Sequence, residues 1–213
     1  MSDAAVGFAM QTIRGRNIGI LGGTFNPIHC GHLVMAENAL EQLGLDLVVF
    51  APAGDPPHKT VDGATPPEAR YRMVEVAIAD RPGFVISRID LDHDEPAYTW
   101  RLLERCAQKW PGNHFHFILG GDSLKEFGSW VRPDRILQLA RIAVIPRPDS
   151  PIEPATLNAV PGLPDMLDVI DAPLCAVSST EIRTRIRNGR SIRYLVPHSV
   201  RRMIETGGYY RGS

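Results

Sequence analysis

The sequence predicts an α/β fold: an open parallel sheet with helices on both faces, followed by a small C-terminal helical segment. Short apolar runs rich in β-branched residues alternate along the chain with longer stretches of helical spacing. The apolar runs are nearly continuous, which is typical of strands covered by helices on both faces. Together these two patterns indicate a doubly covered parallel sheet of the Rossmann-like kind.

Composition limits the classes of protein that the chain can belong to. Its 213 residues are 44% hydrophobic and 22% charged, and the net charge is −1, which argues against bulk binding to nucleic acid or membranes. No apolar run is long enough to cross a bilayer. We predict a single domain over residues 17–213, preceded by a flexible leader at 1–16 without the order of a secretory signal. Three widely spaced cysteines without a CxxC pair favour a reduced, cytoplasmic protein.

Strands are predicted wherever four to six mostly apolar residues stand between turn or helix signals. Their branched and aromatic side chains suit a pleated, buried surface. In order along the chain, the predicted strands occupy residues 18–21, 46–51, 84–87, 114–119, 142–145 and 167–170.

Helices are predicted between these strands and after them, each from its spacing and its end signals. Residues 33–43 are good helix formers closed by Gly44, residues 68–80 follow a Pro-Pro start, and residues 99–110 stop at Pro-Gly. Residues 180–187 and a short segment after Pro197 form the C-terminal helices. Residues 146–164 contain six prolines, too many for a regular element, and are predicted to be a surface loop.

The connection from the first strand to the first helix predicts an anion site. Gly22 and Gly23 stand at the turn, and His29 and His32 stand at the helix start. Free backbone N–H groups and the positive end of the helix dipole point to that place, and imidazoles add donors. The histidines are three apart around Gly31, so both rings can face one pocket. The plainer alternative is a tight turn whose histidines have only local hydrogen bonds.

A second motif begins a helix about 150 residues later, at Ser178-Ser179-Thr180-Glu181-Ile182-Arg183. Hydroxyl groups at a helix start, followed by an arginine one turn later, make a second anion cradle. The same residues are also expected to form a capping box, and this structural role is compatible with anion binding. The first turn is neither a Walker A loop nor a GxGxxG fingerprint.

His-x-Gly-His together with this Ser/Thr-rich helix start resembles the nucleotidylyltransferase superfamily. Within it, the chain from Asn17 to Tyr210 is most similar to the bacterial nicotinate-nucleotide adenylyltransferase family. Further similar segments are residues 22–29, 56–59, 98–99, 120–124, 127–130 and 191–197. The resemblance implies transfer of an adenylyl group from ATP to nicotinic acid mononucleotide, with Mg²⁺, giving deamido-NAD and pyrophosphate in NAD biosynthesis.

The resemblance also implies roles for individual residues. The catalytic set is His29, His32 and Arg183, with Mg²⁺ held mainly through the ATP phosphates and no protein metal site. ATP would further contact Gly22, Gly23, Thr24, Phe25, Gly120, Asp122, Ser179 and Thr180. The mononucleotide would contact Lys59, Thr99 and Trp130.

Other interpretations remain at this stage. Lys59 could be a solvated loop residue, and Trp130 could be a core aromatic. Another adenylyl- or cytidylyltransferase, for instance one acting on phosphopantetheine, shares the two anion motifs. A module that binds RNA through its basic tail is a rival of another class, because residues 181–213 hold eight arginines and two glutamates. The predicted partners are ATP and the mononucleotide, without nucleic acid or membrane, and a homo-oligomer stays open.

Overall fold

The computed structural model describes residues 15–54, 65–92, 95–146 and 151–211. Six parallel strands form one sheet in the order β3-β2-β1-β4-β5-β6. They are β1 (Asn17–Gly23), β2 (Leu47–Pro52), β3 (Phe84–Ile86), β4 (His114–Gly120), β5 (Arg141–Ile145) and β6 (Leu167–Val169). All six predicted strands and their parallel direction are confirmed. The predicted leader lies almost wholly outside the described residues.

Burial on both faces explains why the strands read as continuous apolar runs. Every residue of β2 is buried. Val48 and Phe50 pack into the core on one face of the sheet, whereas Val49 and Ala51 pack into the core on the other. Successive side chains of a strand point to opposite faces, so two cores require apolar residues at every position.

The helices described by the structure include all five that the sequence predicts. They are α1 (Cys30–Gln42), α2 (Pro67–Ile78), α3 (Thr99–Lys109), α4 (Gly121–Lys125), α5 (Pro133–Leu139), α6 (Pro154–Asn158), α7 (Ser179–Arg187) and α8 (His198–Gly207). The prediction of an irregular loop over residues 146–164 is wrong at α6. Proline is well suited to the first position of a helix, where its missing N–H has no partner to lose, and Pro154 begins α6 there.

The helices divide between the two faces, as the fold class predicts. One core takes side chains from α1, α2, α7 and α8, and the other takes them from α3, α4 and α5. The C-terminal helical segment, α7 and α8, therefore packs on the same face as α1. Across the described part of the chain, no helix has the length and apolar character needed to cross a membrane.

The order of the strands decides where a ligand can enter. From β1 the chain moves outward to β2 and β3, and it then returns to β4 on the other side of β1. The connections that follow β1 and β4 therefore leave in opposite directions and open a crevice at the carboxyl edge of the sheet. The first predicted anion motif follows β1, and residues 120–124 follow β4.

Candidate active site

A cleft of ≈570 Å³ opens at the carboxyl edge of the sheet, where the connections after β1 and β4 diverge. Ten of the residues predicted for the site line it. They are Gly22, Gly23, Thr24, His29, His32, Thr99, Gly120, Asp122, Trp130 and Ser179. The structure thus brings residues predicted for ATP and residues predicted for the mononucleotide into one cavity.

The two histidines stack on each other at the start of α1. Their ring centroids lie 3.7 Å apart with an interplanar angle of 28°. Gly31 makes this arrangement possible, because a Cβ at that position would lie 3.0 Å from Nδ1 and 3.1 Å from Cε1 of His29. The glycine of His-x-Gly-His therefore leaves room for the imidazole beside it. Both rings face one pocket, as their spacing predicts.

A backbone hydrogen bond sets the orientation of the His32 ring. The backbone N–H of His29 donates to Nδ1 of His32 over 3.2 Å. Since Nδ1 accepts this bond, the proton of the neutral imidazole is on Nε2, which makes Nε2 a donor. The ring of Phe25 meets His32 edge-on with centroids 5.0 Å apart, which further fixes the imidazole.

The turn before α1 has a strained backbone that the interior of the protein holds in place. Phe25 has φ of +46°, a left-handed conformation that costs a bulky residue about 1–3 kcal/mol. Its side chain is buried, so only its backbone can reach a ligand. A guanidinium nitrogen of Arg70 donates to the carbonyl of Thr24 over 2.5 Å, directly before the strained residue.

The next residues of the turn receive hydrogen bonds from the C-terminal part of the chain. The hydroxyl of Tyr210 donates to Oδ1 of Asn26 over 2.8 Å, and Arg183 donates to the carbonyl of Asn26 over 2.9 Å. The hydroxyl of Ser179 donates to the carbonyl of Pro27 over 2.9 Å. The second predicted motif therefore packs directly against the first.

The start of α7 combines the predicted cap with this support. The backbone N–H of Glu181 donates to the hydroxyl of Ser178 over 3.1 Å, which confirms the helix cap. Arg183 also donates to the Thr180 hydroxyl over 3.3 Å, and neither of these residues lines the cleft. The Nε of Arg183 is buried and has no hydrogen-bond partner within the described residues. Its direct contact with phosphate therefore stays a prediction.

Thr99 and Trp130, both predicted for the mononucleotide, line the same cleft. Thr99 is the first residue of α3, and Trp130 is half-buried against Phe117, with ring centroids 6.1 Å apart in an edge-on arrangement. The indole packs against the core and also lines the cleft. Trp130 can therefore be a core aromatic and still contact the mononucleotide. Lys59 lies outside the described residues.

Asp90 is a cleft residue that the sequence reasoning missed. It is 5% exposed, and its carboxylate pairs with Arg105 over 3.0 Å. Burial raises the pKa of Asp90 to about 7, even though the charge of Arg105 acts in the opposite direction. An acidic residue between apolar neighbours, soon after the carboxyl end of β3, is the signal that could have found it.

A second cleft of ≈490 Å³ adjoins the first and shares Met35 and Gly120 with it. Its other walls are mainly apolar and come from α1, the end of β5 and the segment before α7. They include Val34, Ile145, Pro146, Ile152, Ala172, Pro173 and Leu174. A flat apolar ring could therefore enter against these walls, with the exposed Asp171 as the one charged residue among the described residues of the lining.

Half of the arginines in the C-terminal segment make hydrogen bonds within the protein. Arg185 donates to the carbonyl of Ser191 over 2.8 Å, and Arg201 pairs with Glu205 over 2.8 Å. Arg211 donates to the carbonyl of Glu205 over 2.8 Å. With Arg183, half of the eight arginines have internal hydrogen bonds, which weakens the interpretation of this segment as an RNA-binding surface.

Comparison with known proteins identifies relatives over nearly the whole chain. Residues 20–185 match the profile of the Cytidylyltransferase-like family. A probable nicotinate-nucleotide adenylyltransferase of Roseiflexus sp. (strain RS-1) is 44% identical over 195 residues, covering 91% of this chain and 98% of that protein. One from Thermus thermophilus is 41% identical over 194 residues, covering 91% of this chain and 99% of that protein.

Solved structures support the fold. The Plasmodium falciparum nicotinic acid mononucleotide adenylyltransferase complexed with NaAD aligns with a TM-score of 0.77 and 21% identity, covering 93% of this chain and 98% of that one. The same enzyme complexed with APC aligns with a TM-score of 0.77 and 19% identity, with the same coverage of both chains. Likeness at this level of identity establishes the Rossmann-like arrangement of the sheet and helices.

Proposed function

The chain belongs to the nicotinate-nucleotide adenylyltransferase family, and from this membership we infer that it transfers the adenylyl group of ATP to nicotinic acid mononucleotide. The products are deamido-NAD and pyrophosphate, and the reaction is a step of NAD biosynthesis. The observation that carries the inference beyond family membership is the stacked pair of His29 and His32. The pair lies at the switch point of the sheet, in one cleft with residues predicted for both substrates.

We assign the triphosphate to the end of the cleft formed by the turn after β1 and the start of α1. The N–H groups of His29 and Cys30 donate within the protein, to Nδ1 of His32 and to the carbonyl of Leu195. The donor proposed for the anion is therefore Nε2 of His32, whose orientation is fixed by the bond at Nδ1. His29 supports this donor by stacking and supplies a second imidazole. Arg183 would add its charge from beneath the turn, where it already holds Asn26.

The adenine and ribose would lie between the two clefts. The second cleft provides apolar walls for the adenine ring, and Gly120 belongs to both cavities. Asp122 lines the first cleft beside Gly120 and would accept a hydrogen bond from a ribose hydroxyl. This placement leaves the α-phosphorus near the histidines.

The mononucleotide would occupy the end of the cleft that contains Thr99 and Trp130. An indole at the cleft wall can stack on a pyridine ring, and a helix start such as that at Thr99 favours the nicotinate carboxylate. Lys59 is proposed as a contact of the 5′-phosphate, on the resemblance alone.

The chemistry needs no nucleophile from the protein. An oxygen of the 5′-phosphate forms a bond to the α-phosphorus of ATP, and the bond from that phosphorus to the bridging oxygen of pyrophosphate breaks. The electron pair leaves with the pyrophosphate, whose growing negative charge the histidine donors stabilise. Catalysis is then positioning combined with electrostatic stabilisation.

Mg²⁺ fits this site as an ion held mainly by substrate. Within residues 15–54, 65–92, 95–146 and 151–211, no three His, Cys, Asp or Glu side chains come together as a metal site. Mg²⁺ usually keeps several waters and binds through substrate phosphates, so a dedicated protein cage is not required. When bound, it neutralises charge on the triphosphate.

Cytoplasmic localisation is part of the proposal, and the three cysteines support it because all of them are free thiols.

The deciding experiment measures pyrophosphate release from ATP with nicotinic acid mononucleotide, nicotinamide mononucleotide and phosphopantetheine offered separately. We expect release to be fastest with the acid mononucleotide. Faster release with phosphopantetheine, or from CTP in place of ATP, would overturn the assignment.

A further inference from the structure

Arg70 is a buried cation on the apolar face of α2 that does not itself line the cleft but contacts the backbone of Thr24, which does. Its side chain is 2% exposed, and its neighbours Ala69, Tyr71, Met73 and Val74 are buried with it. Arginine is almost never so deeply buried unless its donors are used, because removing the charge from water is costly. The contacts of Arg70 therefore indicate what keeps it there.

The guanidinium connects the ends of two neighbouring strands. Nη1 donates to the carbonyl of Thr24 over 2.5 Å, directly after β1, and Nη2 donates to the carbonyl of Gly54 over 2.8 Å, after β2. A guanidinium is planar and holds its two nitrogens at a fixed separation. The two carbonyls are therefore held at a set distance from each other.

The bond to Thr24 orients the peptide that leads into the strained residue. In a trans peptide the C=O and N–H groups point in opposite directions, so fixing the Thr24 carbonyl also fixes the direction of the Phe25 N–H. That N–H belongs to the turn that the proposed function assigns to the nucleotide. Arg70 thus acts on the nucleotide side through the backbone of Thr24 and Phe25.

The bond to Gly54 acts on the other side of the cleft. The N–H of Gly54 donates to the carbonyl of Asp90 over 3.0 Å, and a Cβ at Gly54 would lie 2.6 Å from the carbonyl oxygen of Leu91. Gly54 is therefore in close contact with the backbone that follows β3. Asp90 lines the cleft, so the position of this wall depends on where Gly54 is held.

We propose that Arg70 is a positioning residue for adenylyl transfer. It sets the distance between the turn that holds the nucleotide and the backbone after β2 that positions Asp90 in the cleft wall. This inference rests on the proposed function, because that function requires two bound phosphates to meet in line. A displacement of about 1 Å between reacting groups can lower a rate about 10²-fold.

The test compares Arg70→Lys with Arg141→Lys in the full chain. Lysine keeps the charge but cannot reproduce the two-pronged bridge. Arg141 is the matched control, since it makes a two-pronged pair with Asp168 through bonds of 2.7 and 2.8 Å, and it belongs to β5 at the start of the strand, at the opposite edge of the sheet. We expect Arg70→Lys to lower kcat about 10²-fold with each KM changed less than about threefold, while Arg141→Lys keeps the wild-type kcat.

Arg70→Ala supplies a second readout, in which kcat is expressed per folded protein so that recovery of folding alone does not change it. Methylguanidinium added to this variant should restore part of kcat, whereas it should not change kcat of Arg141→Ala. The inference is overturned if Arg70→Lys keeps kcat within about threefold of wild type, or if methylguanidinium leaves Arg70→Ala unchanged. If Arg70→Lys does not fold, Arg70→Ala is refolded with methylguanidinium and its kcat is measured. An unchanged kcat then overturns the inference. Wild-type pyrophosphate release is measured alongside. If the wild type releases no pyrophosphate, the proposed function fails; if it does, the variants test the role of Arg70 alone.

Discussion

Replacing Gly31 by alanine should slow the reaction without unfolding the protein. The added Cβ would lie 3.0 Å from Nδ1 of His29, whereas ordinary contacts begin near 3.4 Å. The His29 imidazole is only 6% exposed and stacks on His32. Moving the His29 ring therefore also moves the His32 ring. The ring must therefore move by a few tenths of an ångström within a packed site.

The size of the effect follows from that displacement. If about 1 Å of misplacement lowers a rate about 10²-fold, a shift of about 0.4 Å lowers it roughly sixfold. Alanine is meanwhile the better helix former by up to about 1 kcal/mol, so α1 does not lose stability through propensity. We expect kcat to fall roughly sixfold while Tm stays within a few degrees of wild type.

The assay is steady-state pyrophosphate release at saturating ATP and mononucleotide, with Tm measured on the same preparations. Cys30→Ala is the matched control in the same helical turn, because the Cys30 thiol donates to the carbonyl of Tyr194 over 3.5 Å. Its kcat should remain within about twofold of wild type. A wild-type kcat in Gly31→Ala would refute the reasoning, since the site would then tolerate a displaced His29.

Three further predictions concern side chains of the cleft. His32→Ala should lower kcat by about 10²–10³, the loss expected for one donor to the transition state, and an unchanged kcat would remove His32 from that role. Trp130→Ala should raise KM for the mononucleotide, measured with ATP saturating. A rise in KM for ATP instead would contradict the stacking assignment. Asp90 is neutral below its pKa of about 7 and anionic above it, so affinity for the anionic mononucleotide should fall as pH rises from about 6 to about 8. Arg105, which also pairs with Glu95, faces the Asp90 carboxylate. Asp90→Asn should flatten the profile, and an identical profile in the variant would exclude Asp90 as its source.

The fold could be predicted because its strands are buried on both sides. Val48 to Ala51 read as apolar at every position, and the following glycines and prolines mark where the chain turns. The short helices α4 and α5 were missed, because five to seven residues show too little periodicity to distinguish a helix from a loop. Pro154 shows the same limit, since a proline can either break a helix or begin one.

The candidate site was predicted from two motifs, but the way they support each other was not. Nothing in the local sequence indicates that Arg183 donates to the carbonyl of Asn26, which is 157 residues away. Likewise, the bridge made by Arg70 and the raised pKa of Asp90 depend on burial, which arises only when distant segments pack together. Motifs identify the residues that line a site. The residues that support this lining from the interior can be identified only when the fold is known.

The bond between Tyr210 and Asn26 joins residues 184 positions apart, and this separation has a consequence for protein synthesis. The supports of that turn from Ser179, Arg183 and Tyr210 are synthesised 152 to 184 residues after the residues that they hold. Translation products that stop before α7 therefore carry the His-x-Gly-His motif without the groups that hold its turn. Such fragments should not sequester ATP, because nucleotide binding would require a chain that extends through Ser179, Arg183 and Tyr210.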